Sequence, residues 1–335
     1  MAQPPALSYE PSPFGLPLAR EAVAKQMAAG GVAVDPGRVV LTASTSEAYA
    51  FLFKLLCDPG DEVLVPRPSY PLFDHLAQLE AVRSMPYRLA YDGGWHIDLP
   101  SLRSALSART RAIIVVNPNN PTGSYVKREE LEVLGSLGLP IVSDEVFASY
   151  PLRDDPSRVG SALKAEGAPL VFALGGLSKL SALPQMKVAW IAVGGTNAQV
   201  QQALGRLEVI ADAFLSVATP MQRALPGFLA SRGVVRKALD ERLRNNCRVL
   251  REMAVGSSAS LLDVEGGWYA TLRLPRTKSE QEWVLRFLEE DGVYVHPGHF
   301  FDFEDEVYVI VSLLASEAIL AEGVGRIISR VDAEG

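Results

Sequence analysis

Three short apolar runs constrain this chain more than any other feature: Ala112–Val116, Pro140–Ser143 and Pro169–Leu174. Each breaks off in a polar cluster. Asn117-Pro118-Asn119-Asn120-Pro121-Thr122-Gly123 follows the first, Asp144-Glu145 the second, and Gly175-Gly176-Leu177-Ser178-Lys179 the third. Runs this short, punctuated by glycine, proline and asparagine, read as buried strands. Further strands are expected at Val39–Leu41, Glu62–Val65, Ser84–Leu89 and Val188–Val193. Helical spacing lies between them at Pro17–Ala29, Glu47–Leu56, a segment ending near Glu80, Leu99–Leu106 and Asn197–Phe214. Such alternation builds an α/β fold with a mostly parallel sheet covered on both faces. Ligands then bind beyond the C-terminal strand ends. If the three runs are parallel neighbours, Asn120, Asp144 and Lys179 converge at one sheet edge.

Pro220–Ala254 reads as two helices meeting near Arg232-Gly233, the second long and charged enough to bridge two domains. After Gly256 the pattern changes. Strands at Leu261–Val264, Trp268–Leu274, Val293–His296 and Val307–Leu313 combine with helices at Ser279–Glu290 and Ser316–Val331 into a smaller α+β unit. The expected organisation is a proline-rich N-terminal arm (1–15), a large three-layer domain (16–235) and a small C-terminal domain (236–335).

A lysine leaving a buried strand loses proton affinity, because burial disfavours the ammonium. The neutral amine can attack a carbonyl and form a Schiff base. Ser-Lys alone is equally compatible with an ordinary solvated lysine, Asn-Pro with a turn, and Asp144 with a helix cap. Ser44-Thr45-Ser46 opens the helix at Glu47, where small hydroxyl residues either cap the helix or form an anion site.

The chain has 335 residues, 48% apolar and 21% charged, and a net charge of -7. A globular core follows, and the acidity argues against a nucleic-acid partner. Cys57 and Cys247 lie far apart in helical patterns and read as buried thiols, not as a disulfide framework or a metal site. No apolar run is long enough to span a bilayer, and Met1–Pro5 does not open a secretory signal. A cytoplasmic location is expected.

Taken together, Asn117–Gly123, Asp144-Glu145 and Ser178-Lys179 followed by Pro184 resemble the pyridoxal-phosphate-dependent aminotransferases of class I/II, of the aspartate aminotransferase fold (fold type I). The resemblance runs from about Tyr9 to near the C-terminus. It implies pyridoxal 5'-phosphate as cofactor, bound to Lys179 as a Schiff base, with Lys179 also carrying the proton between substrate Cα and the cofactor. Asp144 is implied to pair with the protonated pyridine nitrogen, Asn120 to hydrogen-bond the 3′ oxygen, and Tyr70 to stack on the ring. Ser44, Thr45 and Ser46 are implied to hold the phosphate, with Ser178 beside the lysine. Tyr9 resembles the tyrosine that reaches the neighbouring subunit's phosphate, which implies a homodimer with a shared site.

The chain departs from the family pattern at several positions. Phe147 stands where a tyrosine donates to the 3′ oxygen, and Lys187 where an arginine forks onto the phosphate. Ile310 stands where an arginine clamps the substrate α-carboxylate. His296, His299, Arg273 and Arg223 are the candidates to replace it. The segment before Tyr9 is shorter than in the family, which implies weaker closure of the site. The expected function is transfer of an amino group from an amino acid to a 2-oxo acid. The alternatives are a lyase, racemase or cyclising enzyme using the same cofactor on a modified amino acid, a cofactor-holding regulator, and a fold relic. Trp268-Tyr269 and His299-Phe300-Phe301 either line an aromatic pocket or belong to the core.

Overall fold

The computed structural model describes residues 9–304 and 307–335. Most of the arm expected at 1–15 therefore lies outside the described residues.

Eight strands form one sheet: β1 (Val39–Thr42), β2 (Glu62–Arg67), β3 (Arg83–Tyr91), β4 (Trp95–Ile97), β5 (Thr110–Val116), β6 (Ile141–Asp144), β7 (Leu170–Gly176) and β8 (Ala189–Gly195). Their order is β1-β8-β7-β6-β5-β2-β3-β4. The five central strands, β3-β2-β5-β6-β7, are parallel, while β8, β1 and β4 join antiparallel at the edges. Both faces are apolar because alternate residues of each strand point opposite ways. Val63, Val65, Ile114, Val142 and Phe172 pack under helices α2 (Thr45–Leu56) and α7 (Asn197–Phe214). Leu64, Ile113, Val115, Ile141 and Val171 pack on the other face, against α4 (Leu99–Ser104) and α5 (Arg128–Ser136). On that side, α1 (Pro17–Ala29) and α8 (Thr219–Ser231) enclose a cluster with Leu41 and Trp190.

The expected strands and helices are present, with boundaries shifted by a few residues. Two elements are present that were not expected. Helix α5 has only Leu131 and Leu134 as fully buried leucines, and β4 is a short return after Gly93-Gly94 that pairs with the end of β3.

Helix α3 (Phe73–Leu79) follows β2, and the four-residue α6 (Leu177–Leu180) follows β7. Helix α9 (Gly233–Ala254) then leads to the second sheet, β11-β12-β10-β9, made of β9 (Ser260–Leu261), β10 (Tyr269–Arg273), β11 (His296–Pro297) and β12 (Tyr308–Ser312). Strands expected at Leu261–Val264 and Val293–His296 are shorter than that. Glu265 and Gly266 turn away to hydrogen-bond Gly123, and only His296 and Pro297 pair with β12. Helices α10 (Glu280–Glu289) and α11 (Glu317–Glu334) cover this sheet with α9. Ser279 and Glu282 form a capping box at α10, which explains its sharp start.

Gly123 joins the two sheets. Its φ of +73° suits glycine, and a Cβ there would lie 2.5 Å from Val264 Cγ2 and 2.6 Å from the Gly266 carbonyl. Its own carbonyl accepts the amides of Glu265 and Gly266, while Glu265 accepts the Tyr125 amide and pairs with Lys127.

Candidate active site

Parallel pairing brings the three polar tips together. Val116, Asp144 and Leu174 are in register across β5, β6 and β7, so Asn120, Asp144 and Lys179 leave the sheet at one edge. Thr42, Ala189 and Gly176 also align there, which adds Ser44–Ser46 and Lys187 to that edge.

Lys179 lies in α6, just past the glycine pair. Gly175 is needed because a Cβ would lie 2.6 Å from Trp190 Nε1. Lys179 Nζ sits 5.6 Å from the centre of the Phe147 ring and 5.2 Å from that of Trp268. Burial lowers its pKa below the ordinary lysine value, and the charge of Asp144 opposes this only in part. The Lys179 carbonyl accepts a 2.6 Å hydrogen bond from Tyr150 Oη. The Tyr150 ring also meets Trp268 edge-on, so the lysine's backbone is fixed from below.

Asp144 is buried at the tip of β6. Tyr49 Oη donates to Oδ2 at 3.3 Å and the Val146 amide to Oδ1 at 3.2 Å. Burial nevertheless pushes its pKa up to about 6, because these two donors and Lys179 do not replace the lost hydration. Glu145 turns the opposite way, to Ser161 Oγ and the Ala162 amide, and burial raises it to about 7. Tyr49 and Tyr150 were missed in the sequence reading. The signal for Tyr49 was a phenol inside a helix apolar on all sides, since a buried hydroxyl needs a partner.

The other expected residues are placed as follows. Tyr70 is partly exposed, edge-on to Phe73, and burial raises its pKa. Ser69 anchors its loop, accepting from Asn119 Nδ2 at 3.0 Å and donating its amide to the Phe301 carbonyl at 2.9 Å. Asn117 is spent on the Val159 carbonyl and the Val126 amide, and Asn119 on Ser69 and Thr122. Asn120 alone of the three makes no side-chain hydrogen bond among the described residues, and its Oδ1 is buried. Ser44 caps α2, accepting from the Glu47 amide, a contact contributing about 1 kcal/mol. The hydroxyls of Thr45 and Ser46 make no hydrogen bond among the described residues, and the first-turn amides have no acceptor within the helix. Glu47 folds back to accept from the Ala43 amide and Ser216 Oγ. Lys187 is exposed, with left-handed backbone, and Ser178 is half-buried beside Lys179. Tyr9 is 80% exposed and lines a surface cavity with Ser216 and Thr219, so its own chain does not carry it to Lys179. Trp268 and Phe147 are buried walls of the site. His299 is held outside by Glu280 at 3.0 Å.

The family model for aminotransferases of class I and II matches residues 3–324. The chain belongs to the class I and II aminotransferase family. Among curated relatives of this aminotransferase-family chain, nicotianamine aminotransferase 1 of Oryza sativa is 25% identical over 95% of this chain and 66% of the relative. An aspartate aminotransferase of Streptomyces avermitilis is 27% identical over 93% of this chain and 79% of its own length. The chain spans 48–66% of the length of the first three curated relatives. The solved alanine aminotransferase of Pyrococcus furiosus superposes with a TM-score of 0.88 at 25% identity, covering 97% of this chain and 84% of that one. The family cofactor is pyridoxal phosphate. The residues present fit it: an unpartnered Asn120 amide, a carboxylate poor in partners, a lysine of lowered proton affinity and a helix start with free hydroxyls meet at one edge. Among the described residues no His/Cys/Asp/Glu group could hold a metal, and no helix is long and apolar enough to cross a membrane.

Phe147 gives a prediction of its own. The Phe147 ring centre lies 5.6 Å from Lys179 Nζ; if the cofactor's 3′ oxygen sits beside it, as the family resemblance implies, Phe147→Tyr would give that oxygen a phenol donor and draw negative charge away from the lysine's end of the cofactor. The pH midpoint of the visible absorbance change is expected to fall by at least about one unit, the worth of one hydrogen bond to a charged oxygen. An unchanged or raised midpoint in a spectrophotometric titration would count against this role for position 147.

Proposed function

We propose that this chain is a pyridoxal-phosphate-dependent aminotransferase that moves an amino group from an amino acid to a 2-oxo acid. The carrying observation is that adjacent parallel strands bring the Lys179 amine and the Asp144 carboxylate to one tip of the sheet. When bound, the cofactor supplies the electron sink for the charge left on substrate Cα. With the cofactor bound, Lys179 Nζ, low in proton affinity, would be the amine that holds its carbonyl carbon, with water as the leaving group, and the base that accepts and returns the Cα proton. Asp144 keeps the proton on the ring nitrogen, and Tyr49 holds that carboxylate in place. Asn120 orients the 3′ oxygen, and Tyr70 covers the ring face. Ser44, Thr45 and Ser46, with Lys187 and Ser178, take the phosphate. Phe147 and Trp268 give the site buried aromatic walls, with the partly exposed Tyr70 at its edge, so an aromatic amino acid is the donor of choice.

In this reading residues 1–15 are an arm, 16–235 a cofactor-binding domain and 236–335 a mobile small domain. The exposed Tyr9 reaches across a homodimer to the other subunit's phosphate site, in the cytoplasm. A monomer in sedimentation at assay concentration would remove that last element. The test of function is a panel of amino donors added singly to cofactor-loaded protein without acceptor. Aromatic donors are expected to convert the cofactor to its amine form, seen by absorbance. Failure of every donor would sink the transaminase reading.

A further inference from the structure

We propose that Thr271 and His296 together hold the α-carboxylate of the amino donor, a proposal that rests on the transaminase reading above. A carboxylate leaving water needs donors aimed at it. The place to look is the face of the second sheet turned toward the strand tips. On β10, Ala270 and Leu272 enter the core under the helices, and on β12 Val309 and Val311 do the same. The alternate residues therefore face the large sheet. Tyr308 packs into the large-sheet cluster with Tyr87 and Trp95, and Tyr269 lies 6.4 Å from the Phe147 ring.

Across the middle of this face runs one cross-strand row. Ile310 on β12 pairs with Thr271 on one side and with His296 on the other. Residues directly opposite in a sheet share a face, so an apolar side chain stands between a hydroxyl and an imidazole. Thr271 is 2% exposed, and its Oγ1 has no hydrogen-bond partner. Buried polar atoms are nearly always satisfied, so an orphan hydroxyl here points to a ligand. The His296 ring is framed by Tyr294, Phe300 and Phe301 at 5.1, 6.1 and 6.3 Å, and its nitrogens have no partner among the described residues. Phe301 in turn holds the Ser69 amide, which ties this wall to the Tyr70 loop.

The other candidates are worse placed. His299 is engaged by Glu280. Arg223, whose buried Nε also lacks a partner among the described residues, sits on α8 next to Gln222, which bonds Leu16 and Val217, in the helix pair with α1 and not on the second sheet. Arg273 pairs with Tyr308, one step along from the row, and lines a cleft of about 510 Å³ with Arg67, Arg88, Asp302 and Glu304 that includes neither Thr271 nor His296.

The test uses the cofactor-loaded protein and 3-phenylpropionate, a carboxylate with no amino group. The chain has four histidines, so ring-labelled histidine gives a spectrum simple enough to assign from the signal lost in His296→Gln. The His296 resonance is expected to move on titration while those of His75, His96 and His299 stay. Thr271→Val is expected to weaken the probe, and to raise KM for the best donor with kcat little changed, by roughly 10- to 100-fold, the cost of a lost hydrogen bond to a charged group. Thr271→Ser should restore both. Because Thr271→Val removes an unsatisfied hydroxyl, it should also raise the melting temperature, whereas a hydroxyl with a structural role would lower it. A His296 resonance unmoved by saturating probe, or Thr271→Val leaving probe affinity unchanged, overturns the proposal. The probe titration reads carboxylate binding even where no donor is turned over, so failure of the transaminase reading is seen separately.

Discussion

Lys179→Ala is expected to lower transamination by at least about 10⁴-fold, since in the proposed reaction one side chain supplies both the covalent attachment and the proton transfer. The magnitude follows from what the structure gives this amine and no other. Its Nζ lies over the rings of Phe147 and Trp268, its proton affinity is lowered by burial, and its backbone carbonyl is pinned by Tyr150. Lys187 reaches the same sheet edge but is exposed and has neither ring beside it. The check is borohydride reduction of cofactor-loaded protein followed by peptide mass measurement. The cofactor's mass should sit on the Lys179 peptide of the native protein and on no peptide of the variant. Activity within tenfold of native, or label moved to another lysine, would sink the assignment.

Asp144→Asn is expected to move activity and stability in opposite directions. Activity should fall at least about 10²-fold, the typical cost of removing one preorganised electrostatic contact. Stability of the cofactor-free protein should rise. Burial lifts the Asp144 pKa from 3.8 to about 6. Between these values the folded chain keeps a proton that the unfolded chain has released, so stability falls as pH rises through the window. Above about pH 6 the full penalty stands, about 3 kcal/mol at 1.36 kcal/mol per unit. Asparagine carries no such penalty. Cofactor-free Asp144→Asn should therefore melt higher than the cofactor-free native protein at pH 7.5, and the two should converge below pH 4. Glu145 titrates nearby, and the Asp144 charge is one of the causes that raise it, so its own penalty also eases in the variant and adds to the difference in the same direction. Equal melting temperatures at pH 7.5 would mean that the buried carboxylate is better solvated than its surroundings suggest.

Much of this site was legible before any coordinates. The strand ends at Val116, Asp144 and Leu174 could be read because buried parallel strands are continuous apolar runs, and the polar residues after them mark where the chain leaves the core. Ser44 at a helix start was visible for a similar local reason. The short return strand at Trp95–Ile97 was not, because three residues give no periodicity to read; helix α5 was passed over although its buried Glu130, Leu131, Leu134 and Gly135 recur at helical spacing. The residues that complete the site were also hidden. Tyr49 meets Asp144 across 95 positions of sequence and Tyr150 meets the Lys179 carbonyl across 29.

The sequence by itself determined which side chains carry chemistry and that strand tips present them, because burial of a strand or a helix face leaves a repeating mark on the residues of that one segment. Only the tertiary structure decided what surrounds them. The donor on Asp144, the rings around Lys179 and the row Thr271–Ile310–His296 each depend on how separate elements register and dock. That docking is set by the fit of many side chains at once, and no single segment records it.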